Sequence, residues 1–277
     1  MFNKNIILII SSIIIIIYVL ILQYRYLIYF IPNKIILYTP KDFNMNYEEI
    51  YIGKLNGWLI KNQTNVLNNK KSNKLIIFFH GNAGNISNRL HIIQQLLNIF
   101  DDSDIFIFDY PHFGLSDGKL HPSYLISCCH KVYDYWSCKY NNICLLGESI
   151  GAGIMADTYN LIMKTQINLP KMLIHLNGIT SLREIADNIM PSIIKPVILP
   201  WIDEYDSKKI YLKHITKLPK IIIIHAINDE IVPIKYVKNM IHDLRICNNI
   251  HFFNICGTHN NPIFDEIIIK KLKELYN

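Results

Sequence analysis

The segment Ile143-Cys144-Leu145-Leu146-Gly147-Glu148-Ser149-Ile150-Gly151-Ala152-Gly153 constrains the fold of this chain more than any other. An apolar run of strand length enters Gly-x-Ser-x-Gly and leaves it with helical spacing. Small residues at Gly147 and Gly151 permit a tight strand-to-helix turn, which projects the Ser149 hydroxyl from the edge of a sheet. The start of the following helix supplies backbone N–H groups and a field favourable to negative charge. With ordinary Gly and Ser usage the pattern arises by chance in about one of several thousand windows, and the flanking strand and helix make it rarer. The competing reading is a glycine turn with an exposed serine.

Around this segment, strand and helix patterns alternate. Short apolar runs predict strands at Leu75–Phe79, Ile105–Phe108, Ile143–Leu146, Met172–Leu176, Ile221–His225 and Ile250–Phe253. Helical spacing predicts helices over Leu90–Phe100, Tyr124–Trp136, Gly151–Met163, Val237–Ile246 and Ile263–Tyr276. Asn56-Gly57, between Ile50-Tyr51-Ile52 and Trp58-Leu59-Ile60, reads as the tight turn of a hairpin. Lys61 to Lys74 is polar and reads as a loop. This order predicts an α/β fold, a mostly parallel sheet covered by helices, with an antiparallel hairpin at its start. The irregular stretch 179–218 carries Pro191, Pro196 and Pro200 among apolar residues; it reads either as a small cap over a site or as an ordinary packed crossover.

A serine hydroxyl that acts as a nucleophile needs a base, and the base needs an orienting carboxylate. In a sheet of this kind the expected chain order is Ser, then Asp or Glu, then His. Asp229 follows the predicted strand ending at His225, and His259 follows the last strand in Gly257-Thr258-His259. Both fall at carboxyl ends of parallel strands, where such sheets build their sites. Glu230 competes with Asp229, and Asp109 is a weaker acidic candidate at the end of an earlier strand. The chain holds 11 His, so position in the order, not residue type, singles out His259; His225, inside a strand, reads as a core residue. Phe78-Phe79-His80-Gly81-Asn82-Ala83-Gly84-Asn85 lies where a second oxyanion donor belongs. The backbone N–H groups of Asn82, or its neighbour Ala83, and of Ile150 are the candidates. A phosphate-binding glycine loop would need Gly-Lys-Ser/Thr, which is absent here.

Composition locates the rest. Hydrophobic residues are 51% and charged residues 18% of 277, short of the roughly 25% charge usual in soluble domains. The surplus is concentrated at Ile6–Leu22, an uncharged run of mostly Ile and Leu reaching roughly 25 Å as a helix. The large residues Gln23 to Leu27 that follow do not suit a cleavage site, so the run reads as an uncleaved single-pass anchor. The organisation is then an anchor and flank at 1–30 and a catalytic domain at 35–277. Lys4 on one side against Arg25, Lys34 and Lys41 on the other weakly favours a cytosolic domain. Six cysteines without metal spacing read as buried reduced thiols. Asn62-Gln63-Thr64 and Asn85-Ile86-Ser87 match the glycosylation pattern, as chance allows in an Asn-rich chain. The net charge of +6 is scattered, with no nucleic-acid-binding motif behind it.

Taken together, these motifs resemble the α/β-hydrolase superfamily, and within it the membrane-anchored branch containing α/β-hydrolase domain-containing protein thirteen and the related depalmitoylases. The carriers are His80-Gly81-Asn82-Ala83-Gly84-Asn85, Asp109-Tyr110 with Phe113-Gly114-Leu115-Ser116-Asp117-Gly118, Gly147-Glu148-Ser149-Ile150-Gly151, Asp229-Glu230-Ile231-Val232-Pro233 and Gly257-Thr258-His259-Asn260. Pro111-His112 stand where the family commonly has Arg-Gly, and the N-terminal Cys cluster of the depalmitoylases is absent. The resemblance implies a Ser149–Asp229–His259 triad and a domain on the far side of the membrane, against the charge count. The expectation is a membrane-anchored serine hydrolase of an ester or thioester, with a small-molecule or acylated substrate and membrane lipid around the N-terminal helix. It requires no metal and no cofactor. An amidase or peptidase of the same fold, or a catalytically silent binding protein, are the alternatives.

Overall fold

The computed structural model describes residues 4–24, 30–62, 72–165, 168–202 and 205–276. Its centre is a nine-stranded sheet in the order β11-β10-β9-β8-β7-β4-β6-β3-β2. The strands are β2 (Tyr47–Ile52), β3 (Leu55–Ile60), β4 (Lys74–Phe79), β6 (Asp104–Phe108), β7 (Asn142–Glu148), β8 (Met172–Leu176), β9 (Lys220–Ala226), β10 (Ile250–Thr258) and β11 (Asn261–Ile263). From β6 through β10 every neighbouring pair is parallel; β2, β3 and β11 join antiparallel. β1 (Ile31–Pro32) and β5 (Ala83–Gly84) pair separately as two short parallel strands.

The central strands read as unbroken apolar runs because both faces of the sheet are covered. Alternation still sorts their side chains into two cores. Leu75, Ile77, Phe79, Leu145 and Leu173 point one way, toward the helices Pro122–Ser137 and Ile150–Thr165. Ile76, Phe78, Leu146, Ile174 and Ile222 point the other, toward Leu90–Ile99 and Glu266–Tyr276. β4 sits between β6 and β7, so the chain reverses direction across the sheet at the β4/β7 boundary. A crevice beyond the carboxyl ends of such strands is where ligands bind. Register places Phe79 beside Gly147 and Glu148 beside Leu176 there.

Several local expectations need correction. The hairpin turn is Gly53-Lys54, and Asn56 and Gly57 lie inside β3, opposite Tyr51 and Ile50. Gly53 takes φ +61, the left-handed value that two-residue hairpins demand, whereas the buried Asn56 spends its side chain on Glu49 at 2.7 Å. β10 runs five residues past Phe253, to Thr258. The closing helix starts at Glu266, because Ile263 belongs to β11. The predicted 61–74 loop falls mostly outside the described residues. All six cysteines are free, but Cys138 and Cys256 are exposed. Asn62 and Asn85 are both buried, so neither offers a glycosylation acceptor.

Ahead of the sheet, α1 (Lys4–Tyr24) is a helix whose described side chains are all exposed. Among the described residues no helix is long and apolar enough to cross a membrane. Phe30 is buried against Phe113 and Tyr205. The segment between β8 and β9 forms short helices at Leu182–Ile189, Lys195–Ile198 and Ser207–Lys213.

Candidate active site

Ser149 stands between β7 and the helix Ile150–Thr165 with φ +53. A non-glycine residue in that region costs on the order of 1–3 kcal/mol and persists only where its surroundings hold it. Here the Ser149 N–H donates to Leu176 O at 3.1 Å, and its carbonyl accepts from Ala152 N and Ile179 N at 3.1 and 3.0 Å. The turn is tight enough that a Cβ at position 151 would sit 2.1 Å from Phe79 O. Glycine at 151 is thus what allows the helix start to lie against the end of β4.

The structure brings Ser149, His259 and Asp229 together. His259 Nε2 lies 2.9 Å from Ser149 Oγ, and its Nδ1 lies 2.9 and 2.8 Å from the two Asp229 oxygens. Asp229 Oδ1 also accepts the N–H groups of Ile231 at 2.9 Å and Val232 at 2.7 Å. Burial pushes the Asp229 carboxyl up, but the hydrogen bond and charge of His259 and those two N–H groups outweigh it and hold it below its ordinary value. An ionised carboxylate accepts only, so Nδ1 carries the proton. Nε2 is then free to accept the Ser149 hydroxyl hydrogen.

Asn82 and Ile150 line one cavity with Ser149 and His259; its volume is about 330 Å³. Ile150 is the first residue of its helix, where the backbone N–H has no intrahelical acceptor. The Asn82 side chain accepts the Ile31 N–H at 2.9 Å. The opposite wall is apolar and comes largely from one segment, through Ile179, Leu182, Ile185, Ala186 and Ile202.

The weaker candidates separate cleanly. Glu230 is exposed and accepts the His259 backbone N–H at 3.2 Å, while the imidazole nitrogens bond to Asp229 and Ser149. Asp109 lies apart from Ser149 and accepts the Ile86 N–H at 3.0 Å; burial pushes its carboxyl up to about 7. His225 is buried, as expected of a core residue, and donates from Nε2 to Val232 O at 2.9 Å, behind the Asp229 loop. Two residues escaped sequence reasoning. Asn177, with φ +48, donates to the carbonyls of His259 at 2.8 Å and Thr258 at 3.2 Å and accepts Ala226 N–H at 2.8 Å. Arg89 donates from Nε to Glu148 at 2.9 Å. Among the described residues no group of three or more His, Cys, Asp or Glu side chains is placed to hold a metal ion.

No family model matches the chain. It is 33% identical over 234 residues to uncharacterized protein R595 of Acanthamoeba polyphaga mimivirus, covering 77% of this chain and 76% of that one. It is 26% identical over 236 residues to protein bem46 of Schizosaccharomyces pombe, covering 80% and 74%. It is 25% identical over 162 residues to α/β-hydrolase domain-containing protein WAV2 of Arabidopsis thaliana, covering 55% and 49%. In fold it is similar to the Pyrococcus furiosus esterase Pf2001, with a TM-score of 0.65 at 15% identity over 89% of this chain and 96% of that one. Est1E of Butyrivibrio proteoclasticus, solved with ferulic acid bound, gives 0.63 at 20% identity, covering 83% and 97%.

Proposed function

The chain belongs to the α/β-hydrolase superfamily, and on that premise we propose that it is a membrane-anchored serine hydrolase cleaving an ester or thioester bond on an acyl-chain substrate. The observation that carries this reading is the placement of one imidazole between Ser149 Oγ at 2.9 Å and the Asp229 carboxylate at 2.8 Å. Ser149 Oγ attacks the substrate carbonyl while His259 Nε2 takes its proton. The carbonyl electron pair moves to oxygen, facing the N–H groups of Asn82 and Ile150. Collapse of this intermediate expels the alcohol or thiol, which receives the proton from His259. Water then attacks the acyl-enzyme by the same route, releasing the acid and restoring Ser149. Asp229 fixes the imidazole tautomer and stabilises the imidazolium formed in both halves.

The apolar wall beside Ser149 supports an acyl chain as the group that enters. The 179–218 segment forms much of that wall and acts as a small cap. Anchoring is supported by α1, whose described isoleucines are exposed; Leu8 beside them is 72% exposed. A helix exposing apolar side chains all round is stable in lipid, not in water. The direct test is labelling with a fluorophosphonate probe at neutral pH. Wild type is expected to react and Ser149→Ala not to react. A folded wild type that stays unlabelled would overturn the hydrolase reading and leave a silent binding protein. Deleting Met1–Arg25 is expected to move the protein from the membrane pellet to the soluble fraction; continued pelleting would show that the domain itself holds lipid.

A further inference from the structure

Glu148 immediately precedes Ser149 and is buried, and so is Arg89. One carboxylate oxygen, Oε2, accepts both the Gly81 N–H and Arg89 Nε–H at 2.9 Å. The same guanidinium donates from Nη1 to Ala83 O at 2.5 Å. Asn82 is therefore bracketed: the N–H of the residue before it and the carbonyl of the residue after it are both tied to one ion pair. That pair is covalently continuous with the nucleophile. A buried ion pair is a poor source of net stability, since apolar replacements of similar volume are often as stable or more so. What it supplies is position, because a guanidinium fork and a carboxylate fix several bonds at once. We propose that Arg89 and Glu148 are positioning residues that lock the oxyanion donor of Asn82 at a fixed distance from Ser149. The inference rests on the hydrolase reading above.

The clamp acts on the backbone of 81–83, so its loss should weaken stabilisation of the oxyanion and leave ground-state binding alone. The paired substitution Arg89→Met with Glu148→Gln removes the fork without stranding a buried charge, and the Gln oxygen still accepts from Gly81. With a p-nitrophenyl ester, kcat is expected to fall roughly 10- to 100-fold, while KM stays within about two-fold. The Ki of an alkyl trifluoromethyl ketone, which forms an oxyanion on Ser149, should rise in proportion to the loss in kcat. The matching carbinol, which forms none, should bind unchanged. Amide exchange in the peptide spanning 80–84 should quicken in the same variant, a readout that needs no activity. Unchanged exchange at 80–84, or quickened exchange with full kcat, overturns the clamp. A wild type that resists fluorophosphonate overturns the hydrolase reading instead, while the exchange measurement still decides whether the pair holds the loop. Should the paired variant not fold, Arg89→Lys keeps the charge but loses the fork, and it should show the same split between kcat and KM at smaller size.

Discussion

Asp229 and Asp109 both lie buried at the carboxyl ends of parallel strands, β9 and β6, yet their acidities are shifted in opposite directions. Asp229 is held below its ordinary pKa, and Asp109 is raised to about 7. Burial acts on both in the same direction. At Asp229 it is outweighed by His259 and by two backbone N–H groups from the tight turn at Ile231 and Val232. Asp109 also has two backbone N–H groups, of Ile86 and Leu115, and the charges of Arg89 and Lys34, but no imidazole in contact as a hydrogen-bond partner, and together these do not offset burial. The difference teaches that depth does not decide which buried carboxyl stays charged; the donors folded around it do.

Mutation should break the comparison hardest at Asp229. Asp229→Asn is expected to lower kcat by about 10³–10⁴, since the imidazole loses its tautomer and its counter-charge. Asp109→Asn should cost less than about ten-fold in the same ester assay. Equal losses at both sites would mean that they do not play different parts.

Stability against pH sharpens the contrast, because the two shifts have opposite signs. Asp109 keeps its proton when folded and loses it when unfolded between pH 3.8 and about 7. Folding is therefore favoured at the acid end of that window and weakens as pH rises through it, by on the order of 4 kcal/mol in all. Asp229 behaves the other way: its contribution is present above the unfolded pKa and is lost as pH falls through the depressed folded value. Thermal melts from pH 5 to 8 should show Asp109→Asn with a flatter profile than wild type. Identical profiles would remove Asp109 as a buried acid.

Asn177 braces the Asp229 and His259 side of the sheet, as Ser116 Oγ braces the Asp109 carbonyl. Asn177→Ala removes the tie between β9 and the His259 loop, and it leaves a non-glycine residue at φ +48. A stability loss of about 1–3 kcal/mol, with kcat lowered several-fold, is expected from denaturant titration and ester kinetics. The smallest effect should be Glu230→Gln, which keeps an acceptor for the His259 N–H and should stay within about three-fold of wild-type kcat. A larger loss would move part of the acid role to Glu230.

Ser149, Asp229 and His259 were legible because each follows a strand with an apolar run, and such a strand announces itself by composition. The residues that hold them were not. Arg89 and Glu148 are 59 positions apart, and nothing local marks either as the other's partner. Asn177-Gly178 has the look of any turn, while the acceptors and donors of the Asn177 side chain lie 49 to 82 residues away. The hairpin misled for a related reason. Asn56-Gly57 is the stronger local turn signal, but the strand pairing places Asn56 opposite Tyr51 inside the sheet, and Gly53 takes the turn. Local chemistry marked where the strands end and which side chains emerge there; long-range pairing decided how they are braced.

The short β1–β5 ladder bears on how any shortened form of this protein should be cut. Ile31 and Pro32 pair with Ala83 and Gly84, and the Ile31 N–H reaches the Asn82 side chain. Phe30 seats this strand in the core. A truncation beginning at Ile35, where the sequence alone places the start of the domain, would remove α1 and one edge of the ladder in a single step. Loss of activity in such a form would report the missing strand and say nothing about lipid. A cut made before Phe30 separates the two.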